Sequence, residues 1–113
     1  MHELSIALSM IEQIEEQSEK HPGTVRSVNL RIGVLSGVDV EALRFAWEIA
    51  CAGTPFAEAK LVIESIPLSV RCPRCGETHS PDIWALACPR CITPEQDILA
   101  GTELELTSLE IDT

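Results

Sequence analysis

Four cysteines in two closely spaced pairs are the residues with the clearest chemistry. Cys72 and Cys75 form the first pair and Cys88 and Cys91 the second, with twelve residues between the pairs. Two cysteines at this spacing can place both sulfurs on one ion, and a second pair completes a tetrahedron. The pattern therefore predicts a closed, structural zinc site. Iron in the same thiolate ligand set stays an alternative, because tetrahedral thiolates suit both ions.

The N-terminal residues Met1, His2 and Glu3 form a second candidate metal site. The α-amine of Met1, the backbone nitrogen of His2 and its imidazole can chelate one cation in fused rings. Deprotonated amide nitrogens favour Ni²⁺ in a square plane, and Glu3 could supply the fourth donor. Taken alone this is weak evidence, since many proteins carry a histidine near the start of the chain without binding metal.

The remaining candidate residues are interpreted as structural. Cys51 is predicted to be a buried packing thiol, because free cysteine is among the most buried residue types. Trp47 and Phe45 lie in a stretch with helical spacing and are predicted to belong to the hydrophobic core. His21 is interpreted as a solvated turn residue. His79 is interpreted as an exposed loop histidine, with a role as metal ligand or pH-sensitive neighbour of the cysteines as the less favoured alternative.

Catalytic signatures are missing from the sequence. It contains no phosphate-cradling glycine loop, no G-x-S-x-G nucleophile turn and no H-E-x-x-H zinc motif. Cys51 and a histidine could form a nucleophile pair only if folding brought them together. The sequence therefore predicts a binding protein and not an enzyme.

Two stretches have the apolar spacing of amphipathic helices. The first covers residues 2–20 and ends at residues 21–23, where proline and glycine stop a helix. The second covers residues 39–52, with Asp39 as its N-cap and Gly53 just past its end. The predicted buried face of the first helix consists of Leu4, Ala7, Leu8, Ile11 and Ile14.

Three stretches have the alternation of β-strands. Residues 60–70 form one of them, and Pro67 makes it an edge strand or a bulged one, because proline cannot donate to a ladder. Residues 102–111 form another, with a bulge or bend in its middle. Residues 25–35 form the third, and its predicted buried face consists of Val28, Leu30, Ile32 and Val34.

The order of these elements predicts an α+β fold, with two helices packed on a three-stranded sheet. The cysteine pairs form an inserted Cys₄ zinc-ribbon module between the last two strands. We therefore expect one domain from residues 1–70 and 95–113, which carries the N-terminal site, and a zinc-binding module from residues 71–94. The module is too short to bury a core of its own, so metal binding should supply its folding energy.

Composition limits the partners of this chain. It has 113 residues, of which 45% are hydrophobic, and a formal charge of −10. An acidic surface repels phosphate backbones, so nucleic acid is excluded as a partner, whereas a basic protein or a metal cation is favoured.

No apolar run reaches the roughly 20 residues of a membrane span. The N-terminus does not resemble a signal peptide. We predict a cytoplasmic protein.

Several sequence stretches together resemble the HypA (HypA/HybF) family, the nickel metallochaperones of [NiFe]-hydrogenase maturation. The resemblance covers essentially the whole chain. Besides the paired C-x-x-C motifs, it rests on M-H-E-x-S at residues 1–5, R-I-G-x-L-S-G-V at 31–38 and G-T-E-L-E-L at 101–106. One departure is Ile92 after the second cysteine pair, where family members usually carry glycine.

The resemblance implies a nickel ion at Met1, His2 and Glu3, with His2 as the key ligand, and a structural zinc ion at the four cysteines. It also implies delivery of the nickel together with the accessory GTPase HypB to the hydrogenase large-subunit precursor. The alternative function is a zinc-ribbon interaction or regulatory module without nickel cargo. His2 distinguishes the two, because only the metallochaperone needs it.

Overall fold

A computed structural model describes residues 2–82, 88 and 96–113 of the chain. Within these residues it contains two α-helices and six β-strands, which confirms the predicted α+β class. In chain order these elements are α1 His2–Lys20, β1 Thr24–Gly33, α2 Val40–Cys51, β2 Lys60–Ile66, β3 Ser69–Arg71, β4 Thr78–His79, β5 Asp97–Ala100 and β6 Leu104–Asp112.

The strands form two small sheets. The order β2-β1-β6 gives the predicted three-stranded sheet, with β1 at its centre. The second sheet has the order β4-β3-β5 and was not predicted. Its strands are antiparallel, with Val70 opposite His79 on one side and opposite Ile98 on the other.

Internal contacts divide the chain into two compact units. One unit comprises residues 1–30, 38–64 and 105–113, and the other comprises residues 31–37 and 65–104. The first unit contains both helices, and the second contains the β4-β3-β5 sheet. The module boundaries expected at residues 71 and 94 stay a prediction, because much of that segment lies outside the described residues.

Helix α1 covers the predicted stretch and buries Ala7, Met10, Ile11 and Ile14. This spacing of three and four residues keeps the apolar side chains on one face. Leu8 was predicted on the same face, but it is 50% exposed. The prediction was wrong because a step of about 100° from Ala7 turns Leu8 away from that face.

No helix among the described residues is long and apolar enough to span a membrane.

Helix α2 begins at its predicted cap. The carboxylate of Asp39 accepts a hydrogen bond from the backbone nitrogen of Ala42, at 3.2 Å. The helix buries Leu43 and Trp47, which confirms Trp47 as a core residue. The core assignment of Phe45 was wrong, because this side chain is 64% exposed. Two helical steps from Leu43 turn Phe45 by about 200°, onto the opposite face.

The cap gives a testable prediction. Asp39→Ala removes the acceptor for the Ala42 backbone nitrogen and should lower the free energy of unfolding by about 1 kcal/mol. Urea unfolding followed by circular dichroism measures the loss. Asp39→Asn keeps an acceptor oxygen and should restore most of the stability. An equal loss in both variants would mean that the carboxylate's charge, and not its hydrogen bond, stabilises the helix.

Strand β1 has the predicted burial over most of its length. Val28, Leu30 and Ile32 are buried. Val34 was predicted on the same face, but β1 ends at Gly33 and Val34 is 47% exposed. The alternation therefore continues in the sequence for one residue beyond the strand.

The predicted strand 60–70 is two strands in different sheets, β2 and β3. The break falls at Pro67 and Leu68, where proline cannot continue the ladder. The edge position predicted for this segment is confirmed for β2. On this edge strand, the carbonyl of Leu61 accepts a hydrogen bond from the guanidinium Nη1 of Arg44 at 3.0 Å. The side chain of Arg44 in α2 thus occupies one backbone acceptor of this edge strand.

Backbone atoms of residues 33–35 and 101–103 meet in a contact that we name the Gly33–Gly101 crossing. Gly33 donates to the carbonyl of Glu103 at 2.8 Å, and Leu35 donates to that of Gly101 at 2.6 Å. A Cβ atom on Gly33 would lie 2.1 Å from the carbonyl carbon and oxygen of Gly101. The two chain segments can approach this closely only because residue 33 has no side chain.

Glu103 holds the turn beside this crossing. Its carboxylate accepts a hydrogen bond from the backbone nitrogen of Gly101 at 2.8 Å. The backbone N–H of Glu103 itself and that of Gly101 are the main causes that lower the pKa of this carboxyl group, and the positive charge of Arg31 adds to them. Two stretches that carry the family resemblance, 31–38 and 101–106, therefore meet here through backbone hydrogen bonds.

Candidate metal centre

The first cysteine pair lies in the turn between β3 and β4. The backbone nitrogen of Cys72 donates to the carbonyl of Glu77 at 2.9 Å, and that of Gly76 donates to the carbonyl of Cys72 at 2.8 Å. Gly76 has a φ of 75°, which glycine adopts without steric cost. The chain thus reverses around Cys72 and Cys75 in the tight turn predicted from their spacing.

Three of the four predicted sulfur ligands come together. The Sγ atoms of Cys72, Cys75 and Cys88 all lie within 4.8 Å of one another, and those of Cys75 and Cys88 are 3.9 Å apart. A tetrahedral ion with metal–sulfur bonds of about 2.3 Å requires sulfurs roughly 3.8 Å apart. The three thiols therefore fit a single thiolate-bound metal ion. Cys91, the predicted fourth ligand, and Ile92 lie outside the described residues.

The environment of Cys72 favours its thiolate. The backbone N–H of Cys75 is the largest cause that lowers the pKa of Cys72, to about 6. The N–H of Arg74 and the thiols of Cys75 and Cys88 act in the same direction, while burial opposes them. Because the thiolate is the form that binds metal, the turn prepares Cys72 for coordination at neutral pH.

His2 and Glu3 lie in the first turn of α1. The Nδ1 atom of His2 is 3.4 Å from Oε2 of Glu3, and this carboxylate oxygen also accepts a hydrogen bond from the backbone nitrogen of Asp39 at 3.3 Å. The N–H of Asp39 is the largest cause that lowers the pKa of Glu3. Met1 lies outside the described residues.

The two side chains of this turn differ in exposure and in attachment. The side chain of His2 is 63% exposed, whereas that of Glu3 is 17% exposed. The Glu3 carboxylate accepts a hydrogen bond from the backbone nitrogen of Asp39, the residue that caps α2. Backbone N–H groups in the first turn of a helix have no carbonyl partner within the helix. The start of α1 therefore offers an accessible imidazole beside a carboxylate that is held in place, and backbone nitrogens that the helix itself does not use.

The other candidate residues have structural positions. Cys51 is 2% exposed, which confirms the buried packing thiol, and burial raises its pKa to about 11. His21 is exposed, as predicted. The exposed-loop interpretation of His79 was wrong, because His79 belongs to β4 opposite Val70. Its Nε2 atom is buried and has no hydrogen-bond partner among the described residues.

Known proteins resemble this chain over nearly its full length. The family model described as "Hydrogenase/urease nickel incorporation, metallochaperone, hypA" matches residues 1–111. The chain belongs to the HypA family. A hydrogenase maturation factor HypA from Chloroflexus aggregans is 45% identical over 113 residues, which cover 97% of this chain and 98% of that protein. One from Streptomyces avermitilis is 40% identical over 112 residues, which cover 96% and 86% of the two chains.

Solved HypA structures have the same fold. The solution structure of a HypA protein matches with a TM-score of 0.72 and 27% identity, and covers 98% of this chain and 96% of its own. The solution structure of the Ni metallochaperone HypA from Helicobacter pylori matches with a TM-score of 0.64 and 25% identity, and covers 96% of both chains. The fold and the family predicted from the sequence are therefore confirmed.

Sequence reasoning missed one contact of the HypA N-terminal region. The sequence predicts Glu3 as a metal donor and Asp39 as a helix cap. In the structure, the carboxylate of Glu3 accepts from the backbone nitrogen of Asp39. The two residues are 36 positions apart, and a backbone N–H leaves no signal in the side-chain pattern, so this pair could not be predicted from the sequence.

Proposed function

We propose that this HypA family member binds Ni²⁺ through Met1, His2 and Glu3 and delivers it for [NiFe]-hydrogenase maturation. The observation that carries the proposal is the pairing of His2 and Glu3 at the start of α1, with 3.4 Å between Nδ1 and Oε2. The imidazole is open to solvent and can take up an ion. Glu3 lies beside it, and the hydrogen bond from the backbone N–H of Asp39 holds the pKa of its carboxyl group below the ordinary value.

The chemistry of the donors supports nickel as cargo. The Met1 amine, the His2 backbone nitrogen and the His2 imidazole would form fused chelate rings, which suit a square-planar d⁸ ion. Glu3 would supply the fourth donor from its carboxylate or its backbone nitrogen. Because such a site lies at the surface of a chain end, its ligands can exchange with those of a partner.

Zinc is the metal proposed for the cysteine site, with Cys72, Cys75, Cys88 and Cys91 as its ligands. The distances among the first three sulfurs and the lowered pKa of Cys72 support a thiolate-bound ion. The ion would hold together the turn between β3 and β4 and the segment that follows. Four thiolates fill the tetrahedral coordination of one ion and leave no open position, so this metal would be structural and would not be transferred.

The proposed partners are those that the resemblance implies, the accessory GTPase HypB and the hydrogenase large-subunit precursor, and the proposed location is the cytoplasm. The protein itself performs no catalytic step in this scheme. Its contribution is to hold Ni²⁺ with donors that a recipient can replace one at a time.

Nickel titration by calorimetry tests the proposal. Untagged, zinc-loaded protein with its native N-terminus should bind about one Ni²⁺ per chain, because the three N-terminal residues form one donor set. His2→Ala should lose this binding and keep its zinc. His21→Ala, which removes another exposed histidine of the same helical region, should bind nickel normally. Equal binding by wild type and His2→Ala would favour a zinc-ribbon interaction module without nickel cargo.

A further inference from the structure

Three large apolar side chains on α1 and α2 are exposed to solvent. Leu8 is 50%, Phe45 64% and Ile49 55% exposed. Phe45 and Ile49 are four residues apart, so they lie on the same side of α2. Single exposed apolar residues are ordinary, but a contiguous group on a small protein marks an interaction site. We refer to these three side chains as the Phe45 face.

The starts of the two helices lie side by side. The helices pack on each other, and the hydrogen bond between Glu3 and Asp39 joins their first turns at 3.3 Å. Leu8 follows Glu3 by five residues, and Phe45 follows Asp39 by six. At a rise of 1.5 Å per residue these two side chains stand about 7.5 Å and about 9 Å along their helices. Each side chain therefore stands at a similar distance along its own helix from the joined first turns.

Leu8 also lies on the side of α1 that faces α2. Gln13 and Gln17 line a cavity together with Leu106 and Ser108 of β6, so that side of α1 is next to β6. Leu8 is turned by roughly 140° to 180° from these glutamines at about 100° per residue. Since α1 lies beside β6 at one edge of the sheet, the opposite side of the helix is turned toward α2.

The same reasoning places Phe45 and Ile49 on the side of α2 that is turned away from β2 and from the buried residue Leu43. Arg44 donates to the carbonyl of Leu61 in β2, so the Arg44 side of α2 is next to the other edge strand. Phe45 is turned by about 100° and Ile49 by roughly 140° from Arg44, away from β2. Leu8, Phe45 and Ile49 thus lie on the solvent-exposed side of the helix pair, away from the edge strands β2 and β6.

The residues around this face are acidic. Glu12 and Glu15 on α1 and Glu41 and Glu48 on α2 are exposed. Arg44 is the basic residue of α2, and its guanidinium is hydrogen-bonded to β2. The whole chain carries a formal charge of −10. A second copy would bring an equally acidic rim against this one, and like charges across an interface oppose association.

We propose that the Phe45 face binds an amphipathic helix of a partner protein, with an aliphatic ridge flanked by lysine and arginine. A ridge of side chains at four-residue spacing matches Phe45 and Ile49, which are themselves four residues apart on α2, as in other complexes that bind an amphipathic helix by its apolar face. The flanking cations pair with the glutamates and select the partner. The proposal does not depend on nickel, because none of the three residues is a proposed metal ligand.

Binding of designed peptides tests the proposal on the zinc-loaded full chain. The probe is an 18-residue helix with leucines at positions i, i+4, i+7 and i+11 and lysines on both flanks. Calorimetry should give 1:1 binding with a Kd on the order of 10 μM. Amide chemical shifts should change around residues 8, 45 and 49. A peptide with glutamates in place of the lysines should bind at least ~10-fold more weakly.

The decisive variant is Phe45→Ser/Ile49→Ser, which should weaken binding of the lysine peptide at least ~10-fold. Val34→Ser/Val62→Ser removes two other exposed apolar side chains, at 47% and 46% exposure, and should bind normally. Lack of binding to wild type, equal binding to both variants, or shifts confined to β6 would overturn the proposal. So would a dimer of the wild type that the Phe45→Ser/Ile49→Ser variant loses, because the occupant would then be a second copy.

Discussion

Replacing Cys72 with serine is expected to abolish binding of the structural metal and to unfold the segment around β3 and β4. Cys72 is fully buried. The backbone N–H of Cys75 is the largest cause that lowers the pKa of its thiol, to about 6, which favours the thiolate form. A serine hydroxyl stays protonated at neutral pH and cannot replace a thiolate ligand. Val70 is the one buried apolar residue of β3 and β4, so the proposed metal ion should supply most of the folding free energy of these strands.

Metal content and amide hydrogen exchange measure this effect. The wild type should purify with about one zinc ion per chain, since four thiolates complete one tetrahedral site. Cys72→Ser should contain almost none, and its amides in β3 and β4 should lose protection. Cys51→Ser is the matched control, because it changes another buried cysteine and should keep its zinc. Full zinc occupancy in Cys72→Ser would contradict the proposed ligand set.

Gly33→Ala is expected to destabilise the protein by about 3 kcal/mol or more. The added Cβ would lie 2.1 Å from carbonyl atoms of Gly101, so the backbone must move. That movement lengthens the hydrogen bonds at 2.8 Å and 2.6 Å that Gly33 and Leu35 donate. Overpacking and each buried group left unpaired typically cost about 1 to 3 kcal/mol.

The control for this variant is Gly37→Ala. A Cβ at Gly37 meets no atom within 4 Å, although its φ of 81° disfavours a side chain. The cost should therefore be only about 1 to 2 kcal/mol. Urea unfolding curves of both variants at pH 7 give the comparison. If the two losses are equal, the close approach at Gly33 is relieved by small backbone shifts, and the crossing is less rigid than its geometry suggests.

Side-chain patterns predicted the long elements of this protein well. Helix α1 follows from its apolar spacing, and α2 follows from its spacing together with the Asp39 cap, which the structure reproduces. The spacing of Cys72 and Cys75 predicted the turn that brings their sulfurs close to Cys88. Each of these features is local, so a few neighbouring residues determine it.

The features that sequence reasoning missed are short or depend on distant residues. Strands β3, β4 and β5 have three, two and four residues, which is too few to establish a period. Phe45 looked like a core residue because α2 is apolar on most sides, and periodicity alone does not show which apolar side faces solvent. The Gly33–Gly101 crossing joins segments about 70 positions apart through backbone atoms, which all residues share.

The Gly33–Gly101 crossing also limits how this protein can evolve. Most steric conflicts in a core can be relieved by a second substitution that shrinks a neighbouring side chain. At Gly33 the nearest atoms are the carbonyl group of Gly101 and the backbone nitrogen of Thr102, and no substitution changes those atoms. A selection for suppressors of Gly33→Ala should therefore return true revertants and not compensating changes among the neighbours.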